Sequence, residues 1–179
     1  MNYSDIINFW YTQIPSRNWF IKDPAFDTML KRRFNGIHQQ AVAGELVHWR
    51  QKPLGKLAEI IVLDQFSRNM FRDTPNAFSH DSQALVLAQS AIEQGADLGL
   101  LPKQKSFMYM PFMHSESAAI HQQAVTLFNQ PGLEENHNFE LKHKAIIDQF
   151  GRYPHRNEIL GRYSTQEELV FLSQPGSSF

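Results

Sequence analysis

A nine-residue pattern, DQFxRxxxR, occurs twice in this chain: from Asp64 through Arg68 to Arg72, and from Asp148 through Arg152 to Arg156. A guanidinium is a planar fork of donors that grips a carboxylate or phosphate with two parallel hydrogen bonds. Each copy follows an apolar run, Ile60 to Leu63 in the first and Ile146-Ile147 in the second. The charges therefore start beside a core, where they must be paired or used. On a helix Leu57, Ile61, Asp64 and Arg68 share one narrow face, and Asp148 and Arg152 have the same four-residue offset. Two readings stand side by side. The Asp–Arg pairs are structural ion pairs that fix helix ends, or they belong to a binding site.

The second copy runs into Arg152-Tyr153-Pro154-His155-Arg156-Asn157, with Arg162 close behind. Pro154 fixes a turn, and the spacing predicts a short helix from His155 that Gly161 ends. The free N–H groups and positive dipole end of such a helix would add to the donors of His155 and Arg156. Three arginines and a histidine this close suit a carboxylate or a phosphate. Equally, the arginines can cap carbonyls and pair with Asp148, Asp64 or Glu158.

A third dense spot is Pro111-Phe112-Met113-His114-Ser115-Glu116. A base, a hydroxyl and an acid occur in a row, but neighbours on a helix do not face one another, so this is no preassembled triad. The order predicts Ser115 as an N-cap and Glu116 in a first turn, leaving His114 as the candidate acid/base. The GxSxG elbow of a serine hydrolase is missing. Glu140 and His143 have the ExxH form of di-iron bundles, which require two copies; HExxH does not occur. His143 falls on an apolar stripe, as a hydrogen-bonded core histidine would. Neither metal nor cofactor is expected.

The elements that must position these groups are helical throughout, and no strand-and-hairpin pattern competes. A first helix surrounds Ile6, Phe9 and Trp10. Asp23-Pro24 caps a second, with Phe26, Leu30, Phe34, Ile37 and Ala41 on one face and Gly44 as its stop. A helix from about Pro53 to Phe71 has no polar face through Ile60 to Leu63 and should be central. Thr74-Pro75 starts the next, which Gly95 ends. Pro102 opens a Met-rich segment that Pro111 breaks or kinks. Helices around Ile120 to Phe128 and from about Leu133 to Phe150 follow, the latter with Phe139, His143, Ile146, Ile147 and Phe150 as its stripe. Ser164 to Glu167 has the form of a capping box for a terminal helix. The expectation is one all-α domain over residues 1–179, with about eight helices packed as antiparallel hairpins.

Composition narrows the function classes. A 179-residue chain with 42% hydrophobic and 20% charged residues is that of an ordinary soluble globular protein. A net charge of −1 gives no overall attraction to nucleic acid or anionic membrane. The aromatics Phe9, Trp10, Tyr11, Trp19, Phe20 and Trp49 lack an accompanying basic stripe and read as core rather than a base-stacking platform. No run reaches the 18 or so apolar residues of a membrane span, and no signal-peptide pattern opens the chain. Absence of cysteine fits a reducing cytoplasm.

Several strings together carry a family resemblance: FWY near the start, Trp19-Phe20 with Asp23 to Asp27, LDQFSRNMFR, Pro75 to Asp81, PFMHSE, FGRYPHRN and LGRYST. In these the chain resembles the bacterial domain-of-unknown-function family nine-twenty-four over nearly its whole length. Tyr153 stands where that family usually has Phe, and Ser67 where Pro is frequent. The resemblance implies a tetratricopeptide-like helical fold and no known reaction. Its motifs fall on Asp64, Gln65, Arg68, Asn69, Arg72, His114, Ser115, Glu116, His143, Arg152, His155, Arg156, Asn157 and Arg162.

Three functions are compatible with these residues. The leading expectation is a binding module whose pocket collects Asp64, Arg68, Arg72, Asp148, Arg152, His155, Arg156, Asn157 and Arg162 around an anionic metabolite or a peptide carboxylate. A hydrolase or transferase would use His114 or His155 as general acid/base, with Glu116 nearby and the arginines stabilising negative charge. A scaffold for protein partners would follow from fold analogy alone.

Overall fold

The apolar block Ile60 to Leu63 lies at the centre of the molecule: every residue from Leu57 to Ser67 is buried. In the computed structural model, residues 1–178 are described, and no strand occurs among them. The α-helices are α1 (Tyr3–Asn8), α2 (Pro24–Val42), α3 (Pro53–Ile61), α4 (Ser67–Met70), α5 (Asp81–Glu93), α6 (Pro102–Met113), α7 (Ala118–Phe128), α8 (Glu134–Phe150) and α9 (Gln166–Leu172). The helix expected over Pro53 to Phe71 is α3 and α4 joined by a π-helical turn, Val62–Phe66. That turn widens the helix where Asp64 and Gln65 sit, a distortion often found at functional sites.

Around this hub, α1, α5 and α6 pack on α3, while α2 packs on the π-helical turn and α4. From α5 to α8 each helix packs on the next, α5 on α6, α6 on α7 and α7 on α8. One large cluster joins Trp10, Phe34, Trp49, Leu57, Phe66, Phe107 and Phe128. Ile146, Ile147 and Tyr153 form a smaller one with Phe150 and Phe171, under the second copy of the repeated pattern.

Local chemistry accounts for most boundaries. Asp23 caps α2 by accepting from the amides of Ala25 and Phe26 at 2.9 and 3.2 Å. Four boundaries differ from expectation. Thr74-Pro75 opens a single 3₁₀ turn, Pro75–Ala77, and α5 begins only at Asp81. Helix α6 runs through Pro111 to Met113 because the residues around Pro111 are buried and packing holds the turn. The N-cap of α7 is Ser117 rather than Ser115, and His114 caps the end of α6. The last capping box is shifted by one, with Thr165 and Glu168 as its partners.

One face of α8 also departs from the periodic reading. Phe139 is 49% exposed, whereas Glu140 is fully buried. A hydrogen bond of 2.6 Å between Glu140 and the Nδ1 of fully buried His121 explains the exchange. His143 is the core histidine expected, its Nδ1 donating to the Phe139 carbonyl at 2.8 Å.

Candidate functional site

Three connections built by turn residues converge on one cleft. The Pro75 turn leads into α5, α6 stops at His114, and Gly151 ends α8 with a left-handed φ of +67° that sends the chain back through Tyr153 and Pro154. Two bonds tie this last turn to the end of α6. The Tyr153 hydroxyl donates to the Met113 carbonyl, and the Tyr153 amide donates to Glu116 at 2.8 Å. The cleft between them has a volume of about 340 Å³, within the range of small-molecule sites. Phe78, Asp81, His114, Ser115, Glu116 and Arg156 are among its walls.

Its charges are interlocked. Asp64, fully buried, accepts from His114 Nδ1 at 2.7 Å and Gln65 Nε2 at 2.6 Å, with Arg68 Nη1 at 3.0 Å. Arg68 reaches across to Asp81 with both guanidinium nitrogens, at 2.8 and 2.9 Å. Asp81 in turn faces Arg156 at 3.4 Å. Burial alone would raise the Asp64 carboxyl, but Arg68 and His114 together hold it below the usual carboxylate range. For His114, burial and the Arg68 charge push the imidazole down from its ordinary value, against the pull of Asp64.

The repeated pattern does not fold as two equivalent halves. Asp64 and Arg68 do pair, because the helix continues through both. Asp148 and Arg152 do not, because Gly151 ends α8 between them; Asp148 is exposed and pairs with Lys144, and Arg152 turns to Glu168 at 2.7 and 2.8 Å. Arg72 follows the end of α4 and leaves that helix face for Asp27. Arg162 grips Glu116 at 2.6 and 2.9 Å. Asn157 is buried and bonds Ser164 and Arg162. In place of the helix expected from His155 there is one 3₁₀ turn, Pro154–Arg156, and His155 packs its ring on Tyr153 outside the cleft wall. Of the residues singled out from the sequence, His114, Ser115, Glu116 and Arg156 line the cleft, and Asp64 and Arg68 support it from behind.

Asp81, Phe78 and Tyr153 complete the site without having been singled out. The available signal was the stretch Pro75 to Asp81, but an aspartate at a helix start reads as an ordinary favourable charge. Only the fold shows that it faces two arginines from distant segments.

A family model, described as bacterial protein of unknown function (DUF924), matches residues 6–176. The chain belongs to this family. A solved structure of a protein of unknown function from Agrobacterium tumefaciens is 37% identical, covers 96% of each chain and superposes with a TM-score of 0.87. No curated protein matches at a significant level. In this DUF924 chain no described helix is long and apolar enough to cross a membrane.

Glu168, which holds Arg152 and accepts from the Thr165 amide at 2.7 Å, gives the fold an acid limit. Its hydrogen bonds from Arg152, opposed by burial and aided by the Thr165 amide, lower the carboxyl from its ordinary value to about 2. The folded-state value lies below the unfolded one, so the unfolded chain binds the proton first. The stabilisation is complete above about pH 4.3 and disappears as pH falls toward 2. Glu168→Gln should therefore lower the melting temperature at pH 6 and converge on the wild type near pH 2. Parallel melting curves across that range would refute the assignment.

Proposed function

We propose that the cleft binds a small molecule through a carboxylate or phosphate group received by Arg156, and that the protein is a cytoplasmic binding module for such anions. The observation that carries this reading is the incomplete pairing of Arg156. Arg68, Arg72, Arg152 and Arg162 each hold one carboxylate with two hydrogen bonds of 3.0 Å or less. Among the described residues Arg156 bonds only Asp81 at 3.4 Å and the His114 carbonyl at 3.1 Å, and its buried Nε has no partner among them. Arg156 is 6% exposed, and its guanidinium lies 4.6 Å from the centroids of both the Phe78 and Tyr153 rings.

Two aromatic faces fix the plane of this cation while leaving its edge to be used. Burial and the neighbouring Arg68 push its pKa below the ordinary arginine value. An incoming anion would relieve both penalties and satisfy a buried donor, which is where binding free energy is gained. The cysteine-free composition supports the reducing compartment.

The test is thermal denaturation with phosphate, pyrophosphate, succinate and citrate, for the wild type and Arg156→Gln. A ligand at a hundredfold its Kd stabilises by about 2.7 kcal/mol. At least one anion should raise the wild-type melting temperature and leave the folded variant unmoved. Equal shifts in both proteins, or none in either, would overturn the proposal.

A further inference from the structure

His114 stands at the end of α6 with its ring fixed from one side only. Its Nδ1 lies 2.7 Å from Asp64 Oδ1. An ionised carboxylate accepts and cannot donate, so Nδ1 carries the hydrogen and Nε2 the lone pair. Nε2 has no partner among the described residues, and His114 forms part of the cleft wall. Gln65 and Arg68 hold the Asp64 carboxylate from its other sides. A buried carboxylate that sets the tautomer of a histidine facing a cleft is the arrangement of a general base. The positive group is adjacent: Arg156 Nη2 donates to the carbonyl of His114 itself at 3.1 Å.

We infer that the cleft hydrolyses small esters carrying an anionic group, with His114 as the base that activates water and Asp64 as its positioning residue. This rests on the anion-binding reading of Arg156. Water reaches the site because Ser79 and Ser82, on the cleft wall, are exposed. Abstraction of a proton from carbon would call for a closed, dry site instead. In the reaction, Nε2 takes one proton of a water molecule whose oxygen bonds to the ester carbonyl carbon, and the carbonyl π pair moves to oxygen. That oxyanion then re-forms the carbonyl, the bond to the alcohol oxygen breaks, and the leaving oxygen takes the proton back from Nε2. One ester and one water give one carboxylic acid and one alcohol. The transient imidazolium is held against the Asp64 carboxylate, and Arg156 holds the anionic group of the ester.

The burial that lowers the His114 pKa keeps it neutral, and so basic, at pH 7. The charged and titratable groups set around it are Asp64, Arg68, Asp81, Glu116 and Arg156, and His143 of α8. The rate should rise with pH through a value below 6.5 and then level.

The probes are 4-acetoxybenzoate and its uncharged counterpart phenyl acetate, with product release followed by absorbance. The wild type should prefer the anionic ester, with kcat/KM reduced at least about a hundredfold in His114→Gln. Arg156→Gln should remove the preference. Because His114→Gln changes one of the three groups that hold the buried Asp64 carboxylate and so perturbs the fold as well as the base, the wild type is also treated with diethylpyrocarbonate. Carbethoxylation mapped to His114 should abolish turnover in proportion, and hydroxylamine should restore it. Absent turnover, or turnover indifferent to His114 and its modification, overturns the hydrolase inference. If the Arg156-dependent thermal shift persists in that case, the anion site stands; if it is lost too, both readings fall.

Discussion

Asp64→Ala should destabilise the protein by about 3–5 kcal/mol, the cost of breaking a buried charge network from one side. The carboxylate is fully buried and holds His114, Gln65 and Arg68 at 2.7, 2.6 and 3.0 Å. Alanine would leave His114 Nδ1 without its acceptor and take one acceptor from each of Gln65 and Arg68, in a buried space. Arg68 would keep Asp81, so the guanidinium is not left wholly unpaired, and this places the loss within that range rather than above it. Asp64→Asn retains the volume and should lose less, while reversing one hydrogen bond toward His114. Guanidinium chloride titrations of the three proteins measure the difference. A loss below about 1 kcal/mol for Asp64→Ala would show that the network adds nothing to the fold.

Gly55→Ala should be comparably damaging, about 3 kcal/mol, although helix propensity alone favours alanine by about 1 kcal/mol. Gly55 lies in the first turn of α3, directly after the 3₁₀ turn Val47–Gln51. A Cβ there would overlap the carbonyl oxygen of Trp49 and stand 2.8 Å from its carbonyl carbon. The obstacle is backbone, and the Trp49 side chain attached to it is 1% exposed, so neither can move aside. The expected result is a lower melting temperature with helical content retained below the transition. A melting temperature equal to or above that of the wild type would mean that the two segments separate at little cost.

These two positions mark where the sequence stops being informative. The periodicity of Leu30, Phe34, Ile37 and Ala41 decided α2, and the Asp23-Pro24 cap decided its start, because both are properties of neighbours along one helix. The unbroken apolar run from Ile60 decided that α3 would be central. Asp64 and Arg68 could be paired on paper for the same reason: both lie on one continuous helix. Even His143, on the stripe of α8, could be assigned to the core. Gly55 gave no such hint, since what it touches precedes its own helix and is defined only when the chain turns back.

The site itself belongs to the second kind. Which carboxylate meets which guanidinium depends on segments far apart in the chain, and charge pairing has no periodicity to reveal it. Arg152 looked tied to Asp148 until Gly151 took a left-handed conformation between them. Glu140 meets His121 in the core, a pairing between two helices that spacing along the chain does not announce. Thus the sequence alone determined that this is an all-helical chain with arginine, histidine and carboxylate groups beside its core. Tertiary structure decided that Asp64 holds His114, that Asp81 occupies Arg68, and that Arg156 reaches a cleft with a donor to spare. The reason is physical: helix formation is settled within a few turns of chain, whereas the partners of a buried charge are settled by whatever the folded chain brings against it.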